Sequence, residues 1–160
     1  MPLILDKAAF QNTLASLPLV TYEAGETVIA DGSRTGKLLI LRTGAVVIIK
    51  QGSEIAKVAE PGAVFGELSA LLDQPHTADV LASQTSQFHV AEAATLLADN
   101  PIAAIYVATV LANRLHAANQ TLIQLKTQVQ NGEPRKVVVE TVSKMDQVLS
   151  AFGWGGLMMR

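Results

Sequence analysis

Gly66-Glu67-Leu68-Ser69 and, after a short apolar stretch, Pro75-His76-Thr77-Ala78 are the residues whose types and spacing suit the binding of an anion. The run from Pro61 to Ala78 reads as a strand ending at Phe65, a tight glycine turn, a short helix, and a proline-led return into the next strand. A helix beginning at Gly66-Glu67 aims the backbone N–H groups of Leu68 and Ser69 out of its first turn, where they attract negative charge. Gly66 lets that backbone approach a ligand closely. Glu67 stands at the mouth of the same turn, placed to accept hydrogen bonds from a sugar hydroxyl beside a bound phosphate. Such a site holds sugar and phosphate together.

Other chemistry finds little support. No nucleophile and base are paired, no Gly-x-x-x-x-Gly-Lys-Ser/Thr loop occurs, and no metalloprotease His-Glu pattern is present, so no enzyme is expected. His89 and His116 share no short ligand spacing with His76 or with nearby carboxylates, which argues against metal or haem. Zero cysteines remove disulfides, thiolate zinc sites and thiol redox sensing. A net charge of -2 gives no basic footprint for nucleic acid, and 4% aromatic residues provide few platforms for stacked bases. No apolar run reaches the ~18 residues of a membrane span, and the N-terminus lacks a signal-peptide pattern. A cytoplasmic location follows as the default expectation.

The elements that must position these residues can be read along the chain. A hydrophobic share of 49% in 160 residues supplies a core for one domain with appendages. Asp6 caps a helix through Ser16, with Phe10, Leu14 and Leu17 on one face and Pro18 as its stop. From Val20 to Val90 short β-branched runs alternate with turns at Gly25, Gly32, Gly44, Gly52 and Gly62, the pattern of a compact antiparallel barrel or sandwich. Lys37 to Arg42 and Ala45 to Lys50 are expected to pair as a hairpin, and their unbroken apolar centres predict burial on both faces or under covering helices.

After Ala91 the chain becomes helical. Glu92 to Asp99 forms one helix, and Asn100 caps the next, with Pro101 in its first turn. That long helix runs to about Asn131. On it Ala108, Leu111, Leu115, Ala118, Leu122, Leu125 and Val129 form a heptad seam that wants a partner helix, while Ile102, Ile105, Tyr106 and Val110 face the strands. Gly132 ends it and Pro134 opens another amphipathic helix with Val138, Val142, Met145, Leu149 and Phe152 on its apolar face. The tail carries Trp154, the sole tryptophan, between glycines.

Phe65-Gly66-Glu67-Leu68-Ser69 followed by Pro75-His76-Thr77-Ala78 resembles the phosphate-binding cassette of cyclic-nucleotide-binding domains, as in protein kinase A regulatory subunits and the catabolite activator family. The resemblance extends from Val20 to Leu115, through Tyr22 to Val28, Leu38 to Val47 and the Asn113-Arg114-Leu115 ending. It implies an α+β fold, an antiparallel β-roll with flanking helices and a long dimerisation helix, to which the periodicity after Pro134 adds a C-terminal amphipathic helix. It implies a ligand site at Phe65, Gly66, Glu67, Leu68, Ser69, His76, Thr77 and Ala78, with cyclic AMP or cyclic GMP as ligand and no resident cofactor. It also implies a homodimer through the 101–131 helix, on Leu111, Leu115, Ala118, Leu122, Leu125 and Val129.

The pattern is broken at one position. His76 stands where the family carries the arginine that pairs with the cyclic phosphate. Three readings therefore stay open: a weakened nucleotide site, a site retuned to another ligand, and a fold kept for assembly. Arg34 and Arg42 are read as solvated surface rather than as replacement charge. Residues 1–131 are assigned to the nucleotide-binding-like domain and 132–160 to a helical extension. That extension holds too few basic residues for a recognition helix, so output is expected to pass through a protein partner or a change in assembly rather than DNA.

Overall fold

The computed structural model describes residues 7–131. Helix α1 (Lys7–Ala15) precedes strands β1 (Leu19–Tyr22), β2 (Thr27–Ile29), β3 (Lys37–Thr43), β4 (Val46–Lys50), β5 (Ser53–Val58) and β6 (Val64–Phe65). Helix α2 (Glu67–Leu72), β7 (Asp79–Ala82), β8 (Ser86–Glu92), α3 (Ala93–Asp99) and α4 (Pro101–Gln130) complete the order. The extension from 132 onward, with the amphipathic helix expected there and Trp154, lies outside the described residues.

The strands form two antiparallel four-stranded sheets, ordered β1-β8-β3-β6 and β2-β7-β4-β5. This is the expected β-roll. The hairpin expected between β3 and β4 does not form. β3 pairs with β6 and β8, and β4 pairs with β5 and β7, so the Thr43-Gly44 turn carries the chain from one sheet to the other. Both apolar runs and a turn glycine fit a hairpin locally, but a long-range alternative buries more. Leu38, Leu39, Ile40 and Leu41 are all buried in one cluster with strand residues, with Phe10 and Leu14 of α1, and with Tyr106, Val107 and Val110 of α4. A strand covered on both faces needs four consecutive apolar residues.

The corner explains Gly44. Its φ of 100° is one that side-chain-bearing residues avoid, and an added Cβ would stand 2.6 Å from Cα of Ser86, which is fully buried. Gly44→Ala is expected to lower the unfolding free energy by about 1–3 kcal/mol, read from a urea titration, with the m-value unchanged.

Asn100 starts α4 as the sequence predicts. Its Oδ1 accepts from the N–H of Ala103 at 3.0 Å, and its Nδ2 donates to Thr13 Oγ1 at 3.1 Å, which ties α4 to α1. Tyr106 stacks on Phe10 with ring centroids 3.8 Å apart and donates its hydroxyl to the Gly62 carbonyl at 2.7 Å. Burial pushes the Tyr106 phenol up to about 12, so it stays a donor at any physiological pH. These contacts hold α4 against the turn that leads into β6 and α2. No single helix among the described residues is long and apolar enough to cross a membrane.

Candidate functional site

Between β6 and α2 the chain turns at Gly66, with φ 88° and ψ -2°. An added Cβ there would collide with the carbonyl oxygen of Lys37, so only glycine lets the cassette lie this close to β3. The N–H of Ala70 donates to the Gly66 carbonyl, the first such bond of α2. The N–H groups ahead of it have no acceptor within the helix. Ser69 is buried and its hydroxyl donates to the Gln74 carbonyl at 2.5 Å, closing the turn that leads to Pro75 and His76. The Ser69 side chain is therefore structural, and what it offers a ligand is backbone.

A cavity of about 340 Å³ opens against this turn. Phe65, Gly66, Glu67, Leu68, Ser69, His76, Thr77 and Ala78 all line it, so the residues expected from the sequence are brought together. Its apolar wall comes from the second sheet through Ile29, Ile48, Ala56 and Val80, and α4 borders it with Leu111, Arg114, Leu115 and Ala118. A largely apolar cleft with a few convergent polar groups suits a small ligand with an apolar ring and a charged end.

Glu67 is more enclosed than a carboxylate at an open mouth. It is 4% exposed and ion-paired with Arg114, whose Nη2 also donates to the Val64 carbonyl at 3.1 Å. The family resemblance includes Arg114 in its Asn113-Arg114-Leu115 ending but gives it no role at the site. The signal was available: Arg114 follows Val107 and Val110 at helical spacing on the buried stripe of α4, where a cation needs a partner. Arg34, by contrast, pairs with Asp73 in the open, with Nη1 3.1 Å from Oδ1, and Arg42 is exposed.

His76 is buried and its Nε2 lies 3.0 Å from Thr35 Oγ1. Burial pushes the imidazole below its ordinary 6.5, while the Glu67 carboxylate pulls the other way. Thr77 is exposed on the cavity wall and lies two residues before β7 rather than opening it. Among the described residues no cluster of His, Asp and Glu is able to hold a metal ion.

The sequence model of the cyclic nucleotide-binding domain matches residues 19–98, half of the chain and the whole β-roll with its cassette. The chain belongs to the cyclic-nucleotide-binding domain family. The domain is 35% identical over 80 residues to a cAMP-dependent protein kinase regulatory subunit from Yarrowia lipolytica, covering 50% of this chain and 21% of that protein. The chain thus spans about a fifth of that relative. A solved cyclic nucleotide-binding domain from Methylobacillus flagellatus superposes with a TM-score of 0.59 at 25% identity, over 69% of this chain and 68% of that one. The Thermus thermophilus catabolite activator protein shares the fold more completely, with a TM-score of 0.63 over 91% of this chain and 82% of its own, at 19% identity.

In this cyclic-nucleotide-binding domain α4 is long, as the family resemblance implies, and it carries two faces. Tyr106, Val107, Val110 and Arg114 are buried against the roll, while Leu115, Leu122 and Val129 of the heptad seam are 62%, 62% and 61% exposed in the single chain. Leu111, Ala118 and Leu125 are half-buried along the same seam.

Proposed function

We propose that this domain binds a cyclic nucleotide, cyclic AMP or cyclic GMP, in the cavity beside α2 and passes the binding event to α4. One observation carries the reading: the first turn of α2, Glu67, His76 and Thr77 converge on one cavity that α4 also borders. The phosphate faces the Leu68 and Ser69 N–H groups with His76 beside it, and the free lone pairs of Glu67 accept a ribose hydroxyl. The base lies along the apolar wall. The regulatory subunit it resembles is named for cyclic AMP, which supports the ligand class.

Glu67 gives the site its output. A hydroxyl that competes for this carboxylate alters the Glu67–Arg114 pair, and Arg114 sits on α4 between the roll and the exposed seam. We infer a homodimer through Leu111, Leu115, Ala118, Leu122, Leu125 and Val129, whose packing the ligand biases toward one of two arrangements. The shift is bounded by the ligand's preference between them. A downstream protein partner reads the result.

His76 makes the binding proton-linked. The free imidazole titrates below its ordinary range, and a phosphate beside it stabilises imidazolium, so the bound state holds more protons. Affinity therefore rises as pH falls from about 8 to about 6. Calorimetric titration of the full chain with each cyclic nucleotide at these two pH values tests the reading. Tighter binding at the lower pH is the expected result. Absence of heat at both, with dimerisation unaltered by nucleotide, would replace it with an interaction module that retained the fold or a site for a different anion.

A further inference from the structure

The loop between β2 and β3 crosses the end of the cassette and fixes His76. The N–H of Gly32 donates to the His76 carbonyl at 2.8 Å, and the N–H of His76 donates to the Ser33 carbonyl at 2.9 Å. Position 76 is thus pinned through its backbone on both sides. Arg34 adds a strap, donating from Nη1 to the carbonyl and to Oδ1 of Asp73, each at 3.1 Å. The ring itself meets two neighbours. Its Cε1 lies against Gly66, 3.5 Å from where a Cβ would stand, and its Nε2 lies 3.0 Å from Thr35 Oγ1.

The two ring nitrogens are therefore unequal. Nε2 has a partner. Nδ1 has none among the described residues, yet it is not a sealed, unpaired atom, and the ring lines the cavity. Thr35 Oγ1 already accepts the N–H of Lys37 at 3.3 Å, which leaves its own proton to be donated, and Nε2 stands 3.0 Å away. A neutral imidazole that accepts at one nitrogen must carry its proton on the other.

We propose that Thr35 is a positioning residue of the ligand site: its hydroxyl donates to Nε2, holds neutral His76 as the Nδ1–H tautomer, and so makes Nδ1–H the donor offered to an anionic oxygen in the cavity. The ligand's role rests on the cyclic-nucleotide reading above, whereas the tautomer is a property of the free protein. A hydroxyl also suits both protonation states. When the ring gains a proton, Nε2–H donates to Thr35 Oγ1 and the hydroxyl turns its own proton outward, with no heavy atom displaced. A carboxylate at 35 would hold imidazolium permanently, and valine would leave Nε2 without a partner. The charge that acts on the ring is Glu67 of α2, which is tied to Arg114 of α4, and the strap carries the Arg34–Asp73 pair. Lys37 opens β3 and Asp79 opens β7, where Asp79 Oδ1 accepts the N–H of Asp31.

Nitrogen-15 NMR of the full chain at about pH 8, with and without cyclic AMP, tests this. The free wild-type protein is expected to show a protonated Nδ1 and an unprotonated Nε2 at His76. Thr35→Val should lose that preference and bind cyclic AMP about three- to tenfold more weakly, while Thr35→Ser keeps both. A protonated Nε2 in the free wild type, or His76 nitrogen shifts indifferent to Thr35→Val, would overturn the assignment whether or not the nucleotide binds. The expected tautomer with shifts that do not move on adding cyclic AMP would instead remove the ligand role of Nδ1 and the nucleotide reading with it.

Discussion

Glu67→Ala is expected to lower the unfolding free energy by about 3–5 kcal/mol, because it removes the counter-charge of a buried guanidinium, that of Arg114. The Arg114 side chain is 11% exposed and that of Glu67 5%, so little water reaches either to replace a lost partner. Against a typical total of about 5–15 kcal/mol, that loss moves the protein close to its folding limit. A second variant separates the pair's net worth from the cost of breaking it. Glu67→Leu with Arg114→Met removes both charges, and a double change of this kind in a buried pair is expected to restore most of the stability. Urea unfolding of wild type, both single variants and the double variant measures this directly. If Glu67→Ala unfolded within about 0.5 kcal/mol of wild type, the pair would be behaving as an exposed one. The double variant should also lose nucleotide binding while keeping its fold, since the ribose acceptor is gone. That dissociation distinguishes a carboxylate that binds ligand from one that only closes the core.

The Glu67–Arg114 pair also marks where the sequence stops being legible. The cassette could be read because its signals are local: a glycine that must adopt positive φ, an acid at a helix start, a proline that leads the return. The α4 cap at Asn100 and the stripe containing Tyr106 and Val110 were legible for the same reason. What binds Glu67 depends on which part of α4 folds back over the turn, a long-range fact set by Tyr106 on Gly62 and by Phe10 on Tyr106. The β3–β4 misreading has the same origin. A glycine turn between two apolar runs is the local signature of a hairpin, and only the partner strands β8 and β7, far along the chain, show that the runs belong to different sheets. The Thr35–His76 contact falls in this class as well. Thr35 lies in a polar loop, and no local pattern in the sequence links it to His76, 41 residues on.

His76→Arg is expected to tighten cyclic AMP binding by about 10- to 150-fold, the effect of adding a charge-assisted contact of roughly 1.5–3 kcal/mol to the phosphate. An arginine is charged at every physiological pH and offers a fixed fork of donors, whereas the buried imidazole must take up a proton to do the same. The variant should therefore lose the pH dependence between about 6 and about 8 that wild type shows, and the two affinities should converge toward the acid end. Thr35 remains useful to the new side chain, since its hydroxyl accepts from a guanidinium as readily as from imidazolium. Calorimetry on both proteins at both pH values gives four affinities, and their pattern discriminates the readings. Convergence in acid makes His76 the phosphate contact of a proton-linked sensor. Silence from wild type with clear binding by His76→Arg describes an intact pocket tuned away from cyclic nucleotides. Silence from both leaves the cavity without its proposed ligand and places the function on α4, where the exposed leucines of the seam already have the spacing of an interface.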